Sequence, residues 1–584
     1  MPKIRCIEIR NFRSIKSLDW CPGPGVNCLV GPGDSGKSTI LDAIDICLSA
    51  RRSWSFSDSD FYNQDVTKRL HVRLTIGALP DGLLDLDVYG DYLRSYDDEL
   101  GSIDDEPKHG NETVLTLELG VEADLEPQWS LYSERSEDSE RRKSLAWKDR
   151  LALAPARLGS HSSSNLSWSR GSVLNRLSDG RVNVGTALVD AAREARVSFG
   201  EQAGETVSDV LDAVTETARE LGISVGSEVK ALLDAHAVSF TDGAISLHSE
   251  DGIPLRALGV GSARLLLAGL HRRAAAHTSM LLADEIEYGL EPHRLIRLLH
   301  SLGAKDKDDA LQAFMTTHSP VAIRELSGDQ VYVVRRKART HVVAKVGTED
   351  AIQGALRTYP EAFLSRTVVV CEGASEIGLL RGIDLHRTSK GETSAFAAAC
   401  SFLDSSGGTP ERTLQRAQIF RGLGFETIAF LDSDLKIDQN ELEKTRNAGV
   451  QVFMWAEGCA LEQAMFNDVS ETAVNELLDL AVELNSEEEV DSSIAQVSEG
   501  NFTLKSVRES FALADVYAAE IREVLGDAAK LSSKAKSGKA ARRGWFKSIS
   551  RMEVAGDQII GPRLRYAKGD FRRTLEALFA KIHG

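Results

Sequence analysis

GPGDSGKST, residues Gly31–Thr39, decides the fold of the first half of this chain. It fits the pattern G-x-x-x-x-G-K-[S/T] with Gly31, Gly36, Lys37 and Ser38. An apolar run, VNCLV, precedes it, and a helix-like run, ILDAIDICLSA, follows. In such a loop the backbone N–H groups and the next helix N-terminus point at phosphate oxygens. Lys37 is expected to neutralise the β- and γ-phosphates and the Ser38 hydroxyl to hold Mg²⁺, with Gly33 and Thr39 completing the cradle. The expected cofactor is ATP with its divalent cation.

Three later segments extend this reading. MLLADE is an apolar strand that ends on Asp284 and Glu285. Asp284 would hold Mg²⁺ through water, and Glu285 would orient the attacking water. A surface acid pair at a strand end is the bland alternative. It loses weight because TTHSP follows and places His318 as a γ-phosphate sensor, although a lone histidine is more often structural. LGVGSARLL, just before the Asp-Glu strand, puts Gly259, Gly261 and Ser262 at a helix N-terminus.

The second half poses a different question. VVVCEGASE, Val368–Glu376, is a buried strand that finishes on two carboxylates, Glu372 and Glu376. An all-apolar strand reads as a central parallel strand covered on both faces, and functional side chains collect at the carboxyl ends of such strands. ETIAFLDSDLK repeats the design with Asp432 and Asp434, and CSFLDSSGG adds Asp404. Carboxylates crowded at one sheet edge repel one another and persist only with divalent cations or raised pKa values. Hard oxygen ligands suit Mg²⁺, Mn²⁺ or Ca²⁺. Two such ions could stabilise both the attacking and the leaving oxygen of a phosphodiester displacement.

Composition sets the frame. At 584 residues the chain is too long for one core, so two to four domains are expected. No apolar run approaches the ~20 residues that span a membrane, and MPKIRCIEIRNF alternates like a strand rather than a secretory leader. A cytoplasmic protein is expected. The seven cysteines (6, 21, 28, 47, 371, 400, 459) form no C-x-x-C pair, which argues for reduced thiols rather than a disulfide or zinc framework. The net charge of −18 opposes nonspecific affinity for nucleic acid. Lys530–Arg551 nevertheless carries eight Lys or Arg and no acid, and reads equally as a phosphate-binding face or a solvated loop.

In chain order, IRCIEIRNFRSI reads as a first strand, RLHVRLTIGAL and TVLTLELGV as further strands, and 80–150 as hairpins and loops. Residues 185–236 show helical spacing. QVYVVRRK and THVVAKV make a hairpin-like pair, and strands recur at TVVVC, AFAAACSFL, ETIAFL and VQVFMW.

Together, NFRSI, the phosphate loop, the degenerate LGVGSARLL signature and the long insertion resemble the ABC ATPases of DNA metabolism. The signature lacks the usual Leu-Ser-Gly-Gly-Gln wording. The order Glu, then Asp-x-Asp, each after an apolar strand, resembles the Toprim domain. Its Glu-Gly-x-x-Glu form is similar to that of the OLD (overcoming lysogenisation defect) nucleases, whose architecture is an ABC ATPase half followed by a Toprim half. The resemblance implies an α/β chain: an ATPase domain in two parts (1–184 and 237–350), a helical insertion at 185–236, and a Toprim nuclease domain at 360–584 with a basic C-terminal segment. It implies that Glu372, Asp432 and Asp434 hold one metal and that Glu376 and Asp404 help with a second. A lysine near the C-terminus would stabilise the charged phosphate: Lys547 is the choice, with Lys539 and Lys568 open. Glu457 and Glu462 could be further ligands, though helix-capping charge is the plainer reading.

The implied activity is ATP-controlled, metal-dependent nicking or cutting of DNA, in antiphage defence for several such enzymes, including the Gabija type with its helicase-like partner and those that accompany retrons. A homodimer or higher homo-oligomer is expected, built through the insertion, although the apolar stripes there could equally be internal core. The rivals are a DNA-repair or chromosome-clamping ATPase that does not cut, and a nucleotide-gated toxin or sensor. The first leaves the acids at three strand ends unexplained.

Overall fold

The structure is a computed structural model that describes residues 1–49, 54–136, 143–158, 247–250, 254–273, 280–306, 311–337, 339–405, 409–532 and 544–584, with isolated positions between 173 and 212. Apart from those positions, the insertion expected at 185–236 lies outside the described residues, as does Lys539. The backbone divides into two compact units. One comprises Met1–Cys28 with Ser38–Thr317, the other Leu29–Lys37 with His318–Gly584.

The first unit opens with strands β1 (Lys3–Phe12) and β2 (Ile15–Trp20), so the stretch expected as one strand is a tight hairpin. Asn11 and Arg13 adopt positive φ at its turn, which is what breaks the strand. β1 buries Ile4, Ile7 and Ile9. Along the chain β3 (Val26–Val30), the phosphate loop and helix α1 (Lys37–Leu48) follow, of which Leu29–Lys37 belongs to the second unit. Strands β4 (Leu70–Gly77), β5 (Leu93–Asp97), β6 (Ser102–Asp104), β7 (Glu112–Val121) and β8 (Pro127–Tyr132) join β1 and β2 in a seven-stranded sheet, order β2-β1-β4-β7-β5-β6 with β8 also on β7. Its ladders are antiparallel. A second ladder is parallel: β9 (Ala156–Leu158) and β11 (Gln312–Thr316) flank β10 (Met280–Ala283). All four residues of β10 are buried, as a two-sided parallel strand requires. Helices α2 (Val260–Arg273) and α3 (Pro292–Ser301) complete the set used below.

The second unit starts with an antiparallel hairpin, β12 (Val331–Lys337) and β13 (Thr340–Lys345). Its four-stranded sheet is parallel, order β15-β14-β16-β17, from β14 (Thr367–Cys371), β15 (Cys400–Asp404), β16 (Glu426–Leu431) and β17 (Gln451–Met454). β14 is central and buried throughout. The AFAAACSFL strand begins only at Cys400, because Ala399 takes a positive φ just before it. Helix α4 (Ala374–Ser389) follows β14. After β17 the chain is helical. Used below are α5 (Leu461–Asp468), α6 (Ala519–Lys530), α7 (Ile549–Ala555) and α8 (Gly569–His583). α8 buries Phe571, Leu575, Leu578, Phe579 and Ile582 on one helical face.

Candidate functional site

Two constellations follow from this fold. In the phosphate loop Gly31 has φ +142°, and a Cβ there would stand 2.7 Å from the Val334 carbonyl oxygen, so glycine is required. Gly36 also adopts positive φ, while Gly33 has open space around it. The Lys37 ammonium is buried and donates to the Gly31 and Pro32 carbonyls at 3.0 and 2.8 Å. It is thus curled over the loop at the place where phosphate oxygens would replace carbonyls. Lys37→Ala is expected to weaken ATP binding on the order of 10²-fold, measured by calorimetric titration.

The Ser38 hydroxyl donates to Asp284 Oδ1 at 3.0 Å, and Thr316 donates to the same oxygen at 2.5 Å. Serine and carboxylate expected to share Mg²⁺ therefore already meet. Glu285 is exposed with a left-handed φ of +44°, a conformation that costs energy outside glycine. Its N–H is anchored by Thr316 Oγ1 at 2.8 Å. Thr39 faces Ser14 at 3.2 Å. His318 is exposed, two residues beyond β11.

Gly261 and Ser262 lie in the first turn of α2, and Gly259 just before it. A Cβ on Gly261 would stand 2.4 Å from the Gly289 carbonyl, so this glycine admits a close backbone approach. Ser262 Oγ accepts from Arg294 at 3.1 Å. From α2 the buried Arg264 reaches the carbonyls of Asp284, Glu285 and Tyr288 at 3.0, 3.0 and 2.9 Å. One guanidinium thus holds the turn that carries both acids. Nothing in the motif reading pointed to this arginine.

In the second unit a cleft of about 290 Å³ is lined by Glu372, Glu376, Asp404, Asp432, Ser375 and Lys547. It opens at the carboxyl ends of β14, β15 and β16. Glu372 Oε2 accepts from the Asp432 N–H at 3.0 Å, and Asp432 Oδ1 accepts from the Leu461 N–H at 2.9 Å. Glu376 caps its own helix through the Gly373 N–H at 2.9 Å. Burial pushes the Asp432 carboxyl up to about 9, with repulsion from Glu376, Glu462 and Glu372 adding to it. Burial and then Glu462 push Glu376 up to about 7, and burial also raises Glu372. Asp434 does not line the cleft. It pairs with Lys530 at the end of α6, 2.6 Å away.

Glu462, on the first turn of α5, is fully buried, and Lys547 Nζ sits 3.1 Å from its Oε1. Glu462 stands in the first helical turn, as the capping-charge reading has it, but buried against Lys547 rather than in water, while Glu457 is exposed. Lys547 is held near its usual ammonium state or above it: burial opposes the charge, but Glu462, Glu376 and Asp432 outweigh burial. Lys568 is exposed and its backbone N–H donates to Asp468. The signal that could have located Lys547 is the G-x-x-x-G spacing of Gly378 and Gly382 in α4. Cβ atoms there would stand 2.5 Å from the Ile549 carbonyl and 2.3 Å from the Glu553 carbonyl of α7. Two bare glycines let α7 seat on α4, and Lys547 lies two residues before α7. Gly382→Val is expected to cost about 1–3 kcal/mol in urea unfolding through this overpacking.

As the side chains stand, no three acidic, histidine or cysteine groups among the described residues converge to clasp one ion. Lysines and backbone N–H groups occupy the inner oxygens. The donor chemistry still fits a hard divalent cation: four buried or half-buried carboxylates, of which Glu372, Glu376 and Asp432 are raised in proton affinity, with no soft ligand among them.

The phosphate loop, the Ser38–Asp284 contact and the parallel strands beside them define a P-loop ATPase of ABC type. Residues 26–324, just over half of the chain, match the family described as "AAA domain, putative AbiEii toxin, Type IV TA system", and the chain belongs to that family. It is 30% identical over 114 residues to the DNA replication and repair protein RecF of Chlorobium limicola, covering 17% of this chain and 31% of that protein. It is 34% identical over 73 residues to the OLD nuclease of Thermus scotoductus, covering 12% of this chain and 13% of that one. The chain thus spans less than a third of either relative. Among solved structures, an Smc head bound to the C-winged helix domain of ScpA aligns at 16% identity and a TM-score of 0.34, over 60% of this chain and 99% of that one. RecF with ATPγS aligns at 13% and 0.30, over 59% and 98%. Superpositions this loose carry no argument. Among the described residues no helix is long and apolar enough to cross a membrane.

Proposed function

We propose that this ATPase is a divalent-metal-dependent DNA endonuclease of the OLD kind, its second unit containing a Toprim domain that nicks or cuts DNA under the control of bound ATP. The observation that carries this reading is the cleft where Glu372, Glu376, Asp404, Asp432 and Lys547 meet at the ends of three parallel strands. A chain that only clamps DNA has no use for a cluster of acids whose proton affinities are raised by burial and then by mutual repulsion. The partial likeness to an OLD nuclease supports the same assignment.

Glu372, Asp432 and Asp434 would hold one cation, with Glu376 and Asp404 helping a second; bound there, such ions lower the pKa of water and neutralise charge on a phosphodiester. Glu462 joins this set as a residue that keeps Lys547 in place. Lys547 faces the cleft as an ammonium and would offset the charge that builds on the phosphate during cleavage. With their proton affinities raised, Asp432 and Glu376 would give up protons to hold a cation there. Asp434 must exchange Lys530 for the cation. At the nucleotide site Asp284 and Ser38 would hold Mg²⁺ and Glu285 the attacking water, with Gly261, Ser262 and His318 completing the set around ATP. The biological setting that fits best is antiphage defence by a homodimer or larger homo-oligomer, with or without a helicase-like or retron partner.

The test is a supercoiled-plasmid assay on the purified protein with Mg²⁺ or Mn²⁺, with and without ATP. Metal-dependent nicking or linearisation is expected, and the ATP lanes give the sign of control. A second reading, a RecF-like DNA-binding ATPase that does not cut, is favoured by the RecF similarities. It predicts ATP-dependent DNA binding with intact plasmid in every lane.

A further inference from the structure

Cys6 and Cys21 stand across the β1–β2 hairpin. The antiparallel ladder runs through Phe12↔Ile15 to Ile7↔Trp20, and Cys6 and Cys21 are the next residue on each side of its last pair. Their sulfurs are 2.7 Å apart, and both thiols are free. Directly opposed positions of an antiparallel pair lie within the Cα separation a disulfide spans. Cys21 is exposed and Cys6 half-buried, and both line a cavity of about 300 Å³ with Arg73, Arg94 and Tyr132. Four of the remaining five cysteines are buried, and Cys459 is half-buried.

We propose that Cys6 and Cys21 are a thiol-based redox site that closes reversibly into a cross-strand disulfide when a peroxide enters this cavity. Exposure divides their roles: Cys21 is exposed and Cys6 half-buried, so Cys21 is the sulfur a peroxide reaches first and the attacking thiolate. Its sulfur takes one oxygen from hydrogen peroxide as the O–O bond breaks, and the displaced hydroxide leaves as water with the thiol proton. Cys6 then attacks the sulfenic sulfur. The S–S bond forms, and the second hydroxyl leaves as water with the Cys6 proton. The two thiols lose two electrons and the peroxide gains them. A dithiol reductant reverses the reaction by exchange.

Position gives the bond a consequence. The closed end of the same hairpin braces the phosphate-loop helix: Arg13 pairs with Asp42 on α1 at 2.7 Å, and Ser14 faces Thr39. A disulfide at the open end pins the strands whose turn holds α1.

The experiment treats the full chain with hydrogen peroxide, quenches it, unfolds it and counts thiols. The seven thiols are expected to fall to five, with peptide mass mapping joining Cys6 to Cys21 and dithiothreitol restoring all seven. In Cys6→Ser, a dimedone adduct is expected on Cys21, because the sulfenic acid then has no resolving partner. Seven thiols after peroxide, bridges mapped to other cysteines, or no dimedone adduct on Cys21 in Cys6→Ser would overturn the proposal.

Discussion

Asp432→Asn is expected to slow plasmid cutting by on the order of 10²–10³-fold, the scale of removing one preorganised electrostatic partner from a polar transition state, while the second unit stays folded. Asparagine keeps the volume and the oxygen that accepts from the Leu461 N–H. The Asp432 N–H still donates to Glu372. What disappears is a carboxyl that burial, and then Glu376, Glu462 and Glu372, keep from ionising in the metal-free cleft, a penalty that the unfolded chain does not bear. Without metal, the variant should therefore melt at a higher temperature than the parent at pH 8. Lost cutting together with a raised melting point separates a ligand from a structural residue, whose loss would lower both. Cutting at the parental rate would remove Asp432 from the site and the proposal with it.

The second large effect is the pH dependence of the metal-free protein. In the acid cleft burial and mutual repulsion raise Asp432, Glu376 and Glu372 above their ordinary range. The folded state therefore binds more protons than the unfolded chain, and stability falls as pH rises through about 4 to 9. The first unit behaves oppositely and elsewhere. There burial is outweighed by His71, Arg10 and Arg73, which hold Glu8 down at about 2, and Arg73 and Arg69 lower Glu118 in the same way. Those pairs lose their contribution only as pH drops below the ordinary carboxylate range. Between pH 6 and 8.5 in EDTA, calorimetry is expected to show the transition of the second unit moving down by several degrees and that of the first holding still. Mn²⁺ should reverse the shift, and more so at the higher pH, where fewer protons must leave. A second transition independent of both pH and Mn²⁺ would refute the cluster as a metal site.

How much of this was legible in the sequence varies by element. The phosphate loop and the strands ending in Asp284, Glu372, Asp404 and Asp432 could be read because each motif is local: an apolar run, then a polar residue at its end. Four of the expected acids and the chosen lysine line one cleft. Alternation suggested that Asp434 would share it, but β16 ends at Leu431, and beyond the strand the period of two no longer governs direction. The burial of Glu462 was not legible because a glutamate in a first helical turn looks the same in sequence whether water or a buried lysine faces it. Arg264 went unseen for a related reason: its partners are backbone carbonyls, which leave no letter in the sequence. The strand at Cys400 was drawn too long because alanines carry almost no periodicity, and the positive φ of Ala399 is invisible in its name.

The Glu462–Lys547 pair has a consequence for the order in which the chain is made. The acids at Glu372, Glu376, Asp432 and Glu462 all emerge from the ribosome before their cation, which follows Glu462 by 85 residues. Domains tend to settle in order of synthesis, so for an interval the nascent second unit holds its carboxylates without the lysine. A buried charge stripped of its partner is strongly destabilising. The cleft therefore closes late, when α7 docks on the glycines of α4 and brings Lys547 in, and a chain cut before that point carries the acids but not a settled pocket. For a chain that cuts DNA as proposed, the nascent protein would stay harmless to the DNA of its own cell until its last helices arrive.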